Sequence, residues 1–69
     1  MGIKMSKPTK DDIMALAIEI FGSEILAKDW LSTPIHVLNN QPPNTKLRDK
    51  NGLREVEIIL NKIKYGEFI

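Results

Sequence analysis

Residues 49–66 read DKNGLREVEIILNKIKYG, and the fold turns on whether this stretch is a strand or a helix. Within EVEIIL, residues 55–60, Val56, Ile58 and Leu60 alternate with other residues as they would in a half-buried strand. Over the longer window Leu53, Val56, Leu60 and Ile63 recur at three- and four-residue steps with Ile59 beside them, which is the period of an amphipathic helix. Asp49 stands where a helix cap belongs, Gly66 where a helix stops, and no second strand is evident for the first to pair with. The longer pattern decides for helix.

Working outward, the same punctuation recurs. Thr9 and Asp12 have capping-box spacing, and Ile13, Leu16, Ala17, Ile20 and Phe21 follow on one helical face until Gly22. Ser23 can cap a second helix, in which Glu24 and Lys28 are spaced for an ion pair and Ile25, Leu26, Trp30 and Leu31 supply apolar surface. Thr33 as cap and Pro34 as first residue predict a third, short helix through Val37 and Leu38. Asn39 and Asn40 can end it, because asparagine tolerates left-handed backbone. Pro42 and Pro43 suit another short start leading to Leu47.

The expected architecture is therefore all-α: one small bundle of about five helices, three main and two short, over residues 9–66. A flexible lead (1–8) and a tail (67–69) flank it. With 69 residues and no cysteine, the chain has one modest core and no disulfide to support it.

Composition narrows the function classes. Ten Lys and Arg against nine Asp and Glu leave a formal net charge of +1, so no general attraction to nucleic acid or anionic lipid is expected. No apolar run approaches the length of a membrane span, and no secretory signal pattern is present, so the expected compartment is the cytoplasm. His36 is the single histidine and has no cysteine to join it, which argues against a metal site. Ser23, Ser32 and Thr33 have no base nearby except His36, and the glycines are too scattered for a phosphate loop. The chain reads as a non-enzyme without cofactor.

Residues 23–41 can be drawn as a helix-turn-helix, which keeps a small DNA-binding or regulatory dimer as the alternative function. Its would-be recognition segment, PIHVLNN, carries no Lys or Arg for phosphates. Other residues go unused by the core. Ile58 and Tyr65 fall together on the wheel of the last helix, away from its apolar stripe, with Arg54, Asn61 and Lys62 around them. Met14 and Ile18 lie off the core face of the first helix, a surplus that favours homodimerisation. Either short helices cover these positions, or they dock onto a protein partner with Tyr65, Phe68 and Ile69 as an anchoring tail.

FGS (21–23), Ala27, WLSTP (30–34), Leu38, Pro43, Leu47, Gly52, EVE (55–57), Leu60 and IKYG (63–66) resemble, in order and spacing, the C-terminal toxin-binding domain of the Xre/MbcA/ParS antitoxins. The likeness covers about residues 13 to 68. It implies an all-α domain that silences a cognate RES- or ParT-type toxin, an NAD-consuming or ADP-ribosylating enzyme, by covering its active-site entrance. Carried onto this chain, the resemblance places Tyr65, Gly66, Glu67 and Phe68 at the entrance; the outward-facing Arg54, Ile58 and Lys62 and the terminal Ile69 complete the expected partner-binding set. Four positions depart from the family pattern. Asn39 and Asn40 replace paired glycines, Asn44 replaces an apolar residue, and Lys64 replaces an acidic one. Many of these antitoxins also carry an N-terminal helix-turn-helix domain; only a short lead precedes the first helix here, so operator binding is not expected to carry over.

Overall fold

The computed structural model describes residues 8–66. The first helix, α1 (Lys10–Phe21), starts from a complete capping box: the Thr9 hydroxyl accepts the Asp12 amide at 3.1 Å, and the Asp12 carboxylate accepts the Thr9 amide at 3.0 Å. Gly22 ends it in left-handed backbone, φ 92°, donating to the Ile18 carbonyl. One residue later the Ser23 hydroxyl accepts the Leu26 amide and opens α2 (Glu24–Leu31). Its exposed Glu24–Lys28 pair, at 3.3 Å, contributes a few tenths of a kcal/mol.

The third helix does not start at Thr33. That residue donates its hydroxyl to the Asp29 carbonyl at 2.7 Å and so closes the end of α2, while Ile35 is the extended residue that leads into a 3-10 turn, His36–Leu38. Backbone bonds from Ile35 to Gln41, and from Asn40 back to Ile35, tie the turn into a closed loop. The loop reverses through two consecutive left-handed residues, Asn39 (φ 61°) and Asn40 (φ 63°), as the sequence suggests. A second 3-10 turn, Pro43–Lys46, follows Pro42. Asp49 then accepts the Gly52 amide at 2.8 Å and opens α3 (Lys50–Lys64), so the 49–66 stretch is helical and no strand exists among the described residues.

α1 packs against both α2 and α3, and the second turn sits against α2 and α3. The buried apolar residues are Ile13, Ala17, Ala27, Leu31, Leu38, Val56, Ile59 and Leu60, with Pro43 also fully covered. Since α1 has neighbours on two flanks, one apolar face does not describe it. Met14 and Ile18, expected as surplus, are half-buried and pack on the core, Met14 lining one depression with Leu31 and Leu47. The apolar surface of α1 on which a dimer was expected is therefore largely used. Gly52 is buried where α3 crosses the second turn, and a β-carbon there would overlap the Lys46 carbonyl. The Phe21 and Trp30 rings close the α1–α2 corner at 5.7 Å. No polar side chain is buried among the described residues.

Candidate protein-binding face

The stripe that buries Val56, Ile59 and Leu60 against α1 leaves the opposite side of α3 to solvent. Arg54, Ile58, Lys62 and Tyr65 are all exposed there, at the four- and three-residue steps that align side chains on one helical face. Ile58 is 48% exposed and Tyr65 67%, so neither belongs to the core. Short helices do not cover them. Gly66 follows in left-handed backbone (φ 68°), and Glu67, Phe68 and Ile69, expected in the same set, lie outside the described residues.

Lys64 fixes the end of this helix. Its ammonium donates to the Glu19 carboxylate at 2.8 Å and stands 5.5 Å from the centre of the Tyr65 ring. The hydrogen bond to Glu19 is the main cause that raises the Lys64 pKa above the ordinary lysine value; desolvation opposes it, and the charges of Glu19 and Tyr65 add smaller upward contributions. The acidic residue usual in the resemblance would repel Glu19 at this place. Lysine attaches the last turn of α3 to α1 instead.

Beside Ile58 the face is not flat. Val37 and Leu38 of the first turn, with Glu55, Ile58, Ile59 and Lys62 of α3, line an open depression of about 180 Å³. Val37 is 61% exposed. The sequence places it with Leu38 in one short apolar helix, and nothing in that local pattern separates it from Leu38, which is buried; its exposure follows from the loop closed between Ile35 and Gln41. Ile25, 80% exposed, and Leu26 are further apolar residues on the surface of α2.

Two of the candidate hydroxyls serve helix ends, the first being Ser23, which accepts the Leu26 amide. Thr33 spends its hydroxyl on the Asp29 carbonyl, and the helix-turn-helix drawn over 23–41 has a three-residue turn where a recognition helix would need several helical turns. Among the described residues, no group of three or more His, Cys, Asp or Glu is placed to hold a metal ion, and no helix is long and apolar enough to cross a membrane.

An exposed helical face that alternates aliphatic, aromatic and cationic side chains is the composition of a protein-docking surface. The comparisons say of which class. Residues 16–66 match the family model described as the antitoxin Xre/MbcA/ParS C-terminal toxin-binding domain, and the chain belongs to that family. Comparison with curated proteins and with solved structures gave no match. The matched segment contains α2, both 3-10 turns, α3 and the second half of α1, and so includes the Arg54–Tyr65 face. This is an antitoxin domain with a toxin as its partner.

Proposed function

We propose that the domain neutralises a RES- or ParT-type toxin, an enzyme that consumes NAD or uses it to ADP-ribosylate a target, by laying the outer face of α3 and the residues from Tyr65 to Ile69 over the toxin's active-site entrance. The observation that carries this reading is the row Arg54, Ile58, Lys62 and Tyr65, exposed together on the last helix of a toxin-binding domain. An aliphatic and an aromatic anchor with cations at the rim suit a protein cleft better than open solvent. Blocking a cleft requires no catalytic group, cofactor or metal of the antitoxin's own. NAD is a cytoplasmic substrate, so the pair is assigned to the cytoplasm.

The test is co-expression with an active RES-type toxin, reading growth and cellular NAD. The full chain should rescue both. Tyr65→Ala, or removal of Glu67 to Ile69, should weaken toxin binding by more than about 1–2 kcal/mol and leave the melting temperature within a degree or two. Full rescue by both variants would overturn the role of this end of the chain.

A further inference from the structure

The binding face has a part that the last helix does not supply. Val37 projects from the first 3-10 turn beside Ile58, and between them lies the depression floored by Leu38 and Ile59. The turn is held by the Ile35–Gln41 bridge and by two left-handed asparagines, so Val37 is presented by constrained backbone rather than by a loose loop. Val37 is 61% exposed on this loop, so little of its apolar surface is buried in the core.

The rim carries a charge pattern of its own. Glu55 and Lys62 stand at opposite ends of the depression, seven residues apart along α3 and therefore about 10 Å apart along the helix axis. Neither is ion-paired among the described residues, whereas the surface pairs Glu24–Lys28 and Glu19–Lys64 show charges on neighbouring faces already matched. An apolar floor with one open acid and one open base at its ends has a direction. It accepts an apolar side chain whose own neighbours are basic on one side and acidic on the other.

We infer that the depression between the first 3-10 turn and α3 is an anchor pocket for the toxin, receiving one branched aliphatic or aromatic side chain from a toxin segment that places a basic residue at Glu55 and an acidic residue at Lys62. This rests on the toxin-binding reading above and adds a second element, Val37, to a face otherwise built from α3. Two elements meeting at a fixed angle select among toxins more sharply than a single helix does, because a wrong toxin leaves Glu55 or Lys62 desolvated and unpaired.

The experiment is titration calorimetry of the full chain against a purified, catalytically inactivated RES-type toxin, with Val37→Asp, Glu55→Lys, Lys62→Glu and Tyr65→Ala compared in the same buffer. Val37→Asp should weaken binding by at least about tenfold while leaving the melting temperature unchanged, since the residue is solvent-facing. Each charge reversal should slow association and change its salt dependence. Loss of affinity on Tyr65→Ala with none on Val37→Asp overturns the pocket and leaves the α3 reading standing. Loss on Val37→Asp with none on Tyr65→Ala supports the pocket and removes Tyr65 from the interface. No binding by the unaltered chain overturns both.

Discussion

Replacing Gly52 by alanine should reverse the usual sign of such a change in a helix. Alanine in place of a helical glycine ordinarily stabilises by up to about 1 kcal/mol, because glycine loses more backbone freedom on folding. At Gly52 the added carbon would enter the Lys46 carbonyl, a backbone group with no rotamer by which to withdraw. The Pro43–Lys46 turn must then move off α3, carrying Pro43, which is fully buried. Overpacking of this kind costs about 1–3 kcal/mol. A rigid backbone neighbour puts the cost near the upper end, so the net loss is about 2 kcal/mol, a large share of the roughly 3–5 kcal/mol that a core of this size supplies. With a urea m-value near 1 kcal/mol/M for so small a domain, the unfolding midpoint followed by far-UV circular dichroism should fall by about 2 M. Asn51→Ala, one residue earlier and exposed, is the control and should shift the midpoint little. An unchanged or higher midpoint for Gly52→Ala would show that the turn yields freely and that the close crossing is not what glycine serves.

Asn39→Val should cost about 1–2 kcal/mol, because a β-branched residue is forced to φ 61°, whereas Asn39→Gly should be close to neutral; thermal melts of both variants check this. The Glu19–Lys64 pair sets a pH dependence. Folding raises the Lys64 pKa, so its stabilisation is complete below the unfolded lysine pKa and disappears as pH rises through the higher folded value. The chain should accordingly lose more melting temperature than Glu19→Gln between neutral pH and the range above ordinary lysine titration, and parallel curves for the two would refute the linkage.

The helices could be read because their ends are written in local chemistry. Thr9 with Asp12, Ser23 and Asp49 cap in the structure as their spacing suggests, and each contact spans only three residues. The start at Thr33 was misplaced for a reason of the same kind: a hydroxyl before a proline can cap forward or bond back to a carbonyl one turn earlier, and here Asp29 takes it. Long-range packing was harder to see. Met14 and Ile18 looked superfluous on a wheel drawn for one core face, and became half-buried because α1 is sandwiched. The Arg54, Ile58, Lys62 and Tyr65 face was legible from helical periodicity alone, since all four lie on one element. Val37 was not, because its exposure depends on a loop closed between Ile35 and Gln41.

The chain has a single tryptophan, Trp30, and the structure places it at the α1–α2 corner against Phe21 rather than on the α3 face. Its indole emission will therefore track the opening of that corner and stay nearly constant when a toxin covers Arg54 to Tyr65. The molecule thus carries an optical reporter of folding that is blind to docking, so the fluorescence of a complex formed with a tryptophan-free toxin reads the integrity of the antitoxin by itself.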